Sequence, residues 1–158
     1  MTGLAVDVAA EGVRVPVSRA RVEAIALGAL RAERVKAAEL SIAFVDAPTM
    51  ARLNWRHLRH RGPTDIITFE LARMPGAPVA ADIYIAPDVA RENARRHGRG
   101  VREEIARLVV HGVLHALGHE HPEDESRVDS PMWRRQEALV QRLVPQRIAR
   151  SGPRGAAR

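Results

Sequence analysis

Residues 108–117, LVVHGVLHAL, constrain this chain more than any other stretch. Apart from two histidines the segment is apolar or glycine on every side, so a helix made from it must be deeply buried. An unpaired polar group in such a place costs about 1–3 kcal/mol, so each imidazole needs a partner. His111 and His115 are four residues apart. That spacing puts them on one helix face, one turn apart, where both rings can address one cation. Gly118 suits a left-handed helix cap that turns the chain back. His121 then returns as a third ligand. Each spacing in His111-x3-His115-x2-Gly118-x2-His121 has a geometric reason. His119 is also four residues from His115 and is the alternative third member, ranked second because Gly118 ends the helix before it.

The chain has no cysteine, which excludes disulfides, thiol catalysis and Cys-ligated zinc. Three neutral imidazoles suit one Zn2+ per chain, with a fourth position open to water. Water on such an ion has a pKa near ~7, which makes a nucleophile available at neutral pH. A purely structural zinc would more often be closed by a fourth protein ligand, so the pattern favours catalysis. The competing reading is a pair of core histidines satisfied by backbone carbonyls. The spacing matches the long zinc signature of metzincin proteases, except that the general-base glutamate after the first histidine is Gly112 here. Glycine cannot take a proton, so a substrate other than a peptide is expected.

With 158 residues the chain is long enough for one core, and residues 1–150 read as a single domain. The segment 151–158 is Gly, Ala, Pro, Ser and Arg without an apolar face and reads as a disordered basic tail. No apolar run reaches the ~18 residues of a membrane span, and the opening MTGLAVDVAAEGVRVP has no basic segment typical of a secretory signal. A cytoplasmic protein without a membrane partner is expected. Lys plus Arg number 25 against 19 Asp plus Glu, a net +6 that favours anionic partners. Basic residues cluster at 56–61 (RHLRHR) and again at Arg91, Arg95, Arg96, Arg99 and Arg102.

Residues 4–15 alternate in two short stretches and hold one strand or a hairpin. Ser18 caps a helix over about 19–32, with Val22, Ile25, Ala26, Ala29 and Leu30 on one face. Strands are expected at 39–45, 65–69 and 82–86, with a loop over 72–80. Asp46 and Pro48 open a helix carrying Met50, Leu53 and Leu58, and His60–Pro63 form a turn. Further helices are expected from Pro87 to about Arg96, from Val101 to Leu117, and from Glu125 to Arg147, the last delayed or kinked by Pro131. Strands and helices alternate only in part. The fold class is α+β: a small mixed β-sheet packed with helices, with a zincin-like His helix.

HGVLHALGHEH resembles the hallmark of the YbeY family, bacterial rRNA-maturation endoribonucleases, whose usual form is HGxLHLxGYDH. The resemblance extends to LNWRHLRHRGPTDIITFE at 53–70, similar to the family's LN…PTDVLSF segment, and to ADIYIAPDVARENA at 81–94, similar to its GDIxI…A segment. Met132 and Glu137 fit its closing M…QE helix. The resemblance implies a single-strand-specific, metal-dependent endoribonuclease in 16S rRNA 3′-end maturation and ribosome quality control. It implies single-stranded RNA and the ribosome or ribosomal proteins as partners, and zinc ligands at His111, His115 and His121. The chain departs from the family at His119 and Glu120, where Tyr and Asp are usual, at Ala81 for Gly, and at Leu58 for an Arg thought to touch RNA. Arg56, Arg59 and Arg61 are therefore the candidate RNA-binding residues, and Arg59 the candidate catalytic arginine. Asp65 and Thr64 either orient a ligand histidine through its free ring N–H or cap the strand. Five Phe, Tyr and Trp residues are few, so base stacking is expected to contribute weakly. Two other readings stay open: a metallohydrolase on a non-RNA substrate, with a carboxylate such as Glu120 near the metal, and a non-catalytic ribosome-assembly factor with a structural metal.

Overall fold

The computed structural model describes residues 3–71 and 74–144. Four strands form one sheet: β1 (Gly3–Ala10), β2 (Ala37–Phe44), β3 (Ile66–Glu70) and β4 (Val79–Ile85), in the order β1-β2-β4-β3. The first three in that order are parallel and β3 is antiparallel to β4, so the sheet is mixed with β3 on an edge. The helices are α1 (Arg19–Ala32), α2 (Ala47–Leu53), α3 (Pro87–Arg96), α4 (Val101–Ala116) and α5 (Pro131–Leu143).

Local chemistry accounts for most boundaries. The Ser18 hydroxyl accepts the Arg21 N–H at 3.1 Å and starts α1, whose expected apolar face is wholly buried. The Asp46 carboxylate accepts the Thr49 N–H at 2.9 Å and starts α2. Ser130 accepts the Trp133 N–H at 3.2 Å and starts α5, with Pro131 in its first turn.

At its two ends the chain settles alternatives that the sequence left open, and between them it departs from expectation at the loop before β4 and after α2. The N-terminal alternation forms one strand and no hairpin: β1 pairs in parallel with β2, and Val13 and Val15 pack on the core without joining a ladder. The loop before β4 ends sooner than 80, because Val79 to Ala81 already pair with Ala38 to Leu40. After α2 the chain widens into one π-helical turn over Asn54–Leu58, which turns Leu58 out to 45% exposure. The final helical segment is split: a 3-10 turn over Glu125–Asp129 precedes α5. The expected tail 151–158, and the end of the last helix at 147, lie outside the described residues.

The sheet separates two layers. Ile42, Ile83 and Ile85 join α1, α4 and α5 in the main core. Ile67 faces the other way, with Val45, Met50 and Ala86, and Phe69 and Tyr84 pack at its margin. The approach of α4 to the sheet is close at Gly112. A Cβ there would stand 3.0 Å from Ile83 Cγ2 and 3.1 Å from Ile66 Cδ1. The position after the first histidine is therefore the packing face of α4, which gives a steric reason for the absence of a glutamate base.

Candidate metal centre

Helix α4 carries His111 and His115 one turn apart, and His111 faces Gln136 of α5. Leu117 ends the helix, and Gly118 follows at φ 95°, a conformation glycine adopts without strain. The Gly118 N–H donates to the His115 carbonyl at 2.9 Å and the His119 N–H to the Leu114 carbonyl at 3.0 Å, closing the turn. His119 points away: its Nε2 lies 3.3 Å from Glu33 Oε1. Glu33 also holds Arg135 of α5 at 3.0 Å, so this carboxylate ties the returning loop to α1 and α5.

That turn brings His121 back beside the helix. The ring centroids of His111, His115 and His121 are 4.6, 4.9 and 5.1 Å apart, and one nitrogen from each lies within 4.8 Å of the other two. Of the two candidate triples, the one containing His121 converges and the one containing His119 does not. Each Nδ1 already has an oxygen partner: Gln136 Oε1 at 2.7 Å for His111, the His119 carbonyl at 3.0 Å for His115, and the Pro122 carbonyl at 2.8 Å for His121. An Nδ1–H that donates to oxygen fixes the tautomer and leaves the Nε2 lone pair free. Three lone pairs facing one another repel unless a cation lies between them, so the donor set fits a metal ion.

Burial favours the neutral form of His111 and His115. Desolvation is the main reason that His111 is pushed down to about 4, and the neighbouring His115 and His121 add to the effect. His115 is lowered by burial and then by His121. Among the described residues no further His or carboxylate joins the group, and all three rings are half-buried. A four-coordinate ion there would keep one position for a non-protein ligand.

Behind His111 stands a chain of polar contacts that the spacing argument missed. Gln136 is 2% exposed. Its amide nitrogen donates to Glu137 Oε2 at 3.1 Å, which turns its oxygen toward His111. Glu137 in turn accepts two hydrogen bonds from the Arg107 guanidinium, at 2.8 and 3.0 Å. Burial alone would raise the Glu137 carboxyl, but the hydrogen bonds from Arg107 and Gln136 hold it below its ordinary range. The signal available in the sequence was the QE pair one helix away.

Asp65 orients none of the histidines. It accepts the Asn93 amide at 3.2 Å, while its own carbonyl accepts the Ala86 N–H, so it braces the start of β3 against α3. Burial, and after it the Glu104 carboxylate, raise its carboxyl above the ordinary range. Arg56, Arg59 and Arg61 are exposed. Their turn packs through His57 on Phe69, on the sheet face opposite the one that Ile66 presents to α4. The Arg59 guanidinium is 5.5 Å from the Trp55 ring.

A mixed sheet backed by a helix with two of three convergent imidazoles defines a candidate metalloprotein of the hydrolytic kind. Comparison with known proteins narrows this. The profile of the family described as Endoribonuclease YbeY matches residues 9–144, and the chain belongs to that family, one of endoribonucleases. The Endoribonuclease YbeY of Thermobifida fusca is 40% identical over 134 residues, 78% of this chain and 86% of that protein. That of Beutenbergia cavernae is 42% identical over 99 residues, 57% of this chain and 66% of that protein. That of Nocardia farcinica is 39% identical over 99 residues, 56% and 54%. A Thermotoga maritima protein of known solution structure shares the fold, with a TM-score of 0.62 and 21% identity over 92% of this chain and 93% of that one. No helix among the described residues is long and apolar enough to cross a membrane.

Proposed function

We propose that this chain is a zinc-dependent endoribonuclease specific for single-stranded RNA, acting in the cytoplasm in 16S rRNA 3′-end maturation and ribosome quality control. Residues 1–150 act as one unit in this reading, and the ribosome or its proteins present the substrate. The observation that carries it is the convergence of three imidazoles whose Nδ1 atoms are all engaged elsewhere.

In this reading His111, His115 and His121 hold one zinc ion through Nε2. The bound ion supplies Lewis acidity toward the scissile phosphodiester. The protein's own groups do the rest. Gln136, His119 and Pro122 keep the three Nδ1 protons in place, so no ring turns its N–H toward the substrate. Burial keeps His111 unprotonated at neutral pH. Arg56, Arg59 and Arg61 hold the RNA backbone, and Arg59 offsets the charge of the phosphates it contacts. Gly112 leaves no carboxylate beside His111, so the peptide-hydrolase route has no base there.

The test is metal analysis paired with cleavage of a single-stranded RNA by wild type, His115→Ala and Arg59→Ala. The reading predicts about one zinc per wild-type chain, with metal and cleavage both lost in His115→Ala. Arg59→Ala should retain metal and cleave more slowly. Full cleavage by metal-free His115→Ala would overturn it. Unfolding on metal removal with no nuclease activity in any variant would favour the assembly-factor reading.

A further inference from the structure

We propose that Trp55, flanked by Arg59 and Arg61, is a stacking subsite for one base of a single-stranded RNA. The inference rests on RNA being the ligand, as proposed above, and adds a place and a mode of contact to it.

Trp55 belongs to neither core cluster and is 47% exposed. The guanidinium carbons of Arg59 and Arg61 lie 5.5 and 5.8 Å from its ring centroid, within cation–π reach. The loop is held in this form. Arg59 has φ 57°, a left-handed conformation that non-glycine residues seldom adopt. Its N–H donates to the Trp55 carbonyl at 3.1 Å, and the His60 N–H donates to the Asn54 carbonyl at 3.3 Å. The buried Asn54 amide donates to the Gly62 carbonyl at 2.9 Å, closing the loop across its base. The His57 ring meets Phe69 edge-on at 4.8 Å and roots the turn on β3.

Charge selects the occupant. Among the described residues no carboxylate pairs with Arg56, Arg59 or Arg61, so the turn presents three unneutralised cations, two of them beside the exposed Trp55 ring. Single-stranded RNA offers both phosphates for the cations and unstacked bases for the indole. A duplex keeps its base faces covered, and an acidic peptide brings charge without a plane to stack. Because β3 is the sheet edge, a strand held at Trp55 crosses that edge to reach the imidazoles on the other face.

The experiment is fluorescence titration of the full-length, metal-free Trp133→Phe protein, in which Trp55 is the sole tryptophan. The probes are an oligoadenylate and an abasic RNA strand with the same number of phosphates. If Trp133→Phe does not fold, the indole N–H NMR signal of Trp55 in wild type gives the same reading. Saturable quenching by oligoadenylate, little by the abasic strand, and oligoadenylate binding weakened about 5- to 150-fold in Trp55→Leu are expected, the range that corresponds to one lost base–aromatic stack. Equal binding of the two strands without quenching, or unchanged affinity in Trp55→Leu, would overturn the proposal. So would a Trp55→Leu protein that binds RNA normally but no longer binds ribosomal proteins. Binding here needs no cleavage: quenching without nuclease activity in the loaded enzyme would sink the nuclease reading alone, and cleavage without quenching the stacking subsite alone.

Discussion

Replacing Gln136 by Ala removes the one partner of the His111 Nδ1–H without touching any of the three convergent imidazoles. Gln136 is 2% exposed and its oxygen stands 2.7 Å from Nδ1, so no water takes its place without a cavity opening between α4 and α5. Loss of a partner that orients a ligand imidazole typically lowers metal affinity 10- to 100-fold, or about 1.4–2.7 kcal/mol. At a fixed excess of zinc, the stabilisation that zinc confers should fall by the same amount. For a chain of this size each kcal/mol moves the melting temperature by about 2–4 °C, so the zinc-induced rise in Tm should shrink by roughly 3–10 °C. The metal-free melt should also drop, since a buried ring N–H without a partner costs about 1–3 kcal/mol. The assay is a pair of melts, with zinc and with chelator, beside a competitive zinc titration and nitrogen NMR of the imidazoles. Unchanged zinc affinity with His111 still protonated at Nδ1 would refute the idea that Gln136 sets its tautomer.

Other perturbations follow from the same geometry. Gly112→Glu, which restores the metzincin glutamate, should destabilise the fold by about 3 kcal/mol or more by denaturant titration, because the side chain meets Ile66 and Ile83 and buries a carboxylate. A stable, folded Gly112→Glu protein with peptidase activity would contradict the packing argument. Arg107→Ala should cost about 3–5 kcal/mol, since Arg107 is 8% exposed and its loss strands Glu137 beside Gln136. The Glu137 carboxyl is held below its ordinary 4.5, so its stabilising contribution is present above about that pH and lost as pH falls through the lower folded value. Glu137→Gln should therefore lower stability at neutral pH and flatten its decline under acid. Arg59→Ala should weaken RNA binding for all sequences and reduce the slope of log affinity against log salt by about one phosphate contact.

The parts of the molecule that were legible in sequence are those governed by near neighbours. The α1 face, the Ser18 and Asp46 caps and the return of the chain at Gly118 all follow from spacing and backbone chemistry within a few residues. The convergence of His121 with His111 and His115 was readable for the same reason, and the Glu33–His119 contact explains why the neighbouring histidine stays out. What escaped depends on distant partners. The parallel pairing of β1 with β2 is set by burial against α1, so the alternation at 13–15 read equally well as a hairpin. The π-helical turn at Asn54–Leu58 leaves Leu58 exposed although its spacing suits a core face. Asp65 read either as a histidine orienter or as a cap of β3; its partner is Asn93 on α3, and Gln136 on α5 takes the role at His111. Neither pairing leaves a periodicity to read.

Zinc-edge X-ray absorption on the purified full-length chain tests the central geometry most directly. One ion held by three imidazole nitrogens at about 2.0–2.1 Å, with one non-protein oxygen completing the shell, is the expected spectrum, lost in His115→Ala. A protein that retains no metal, or an ion closed by four protein ligands, would contradict it.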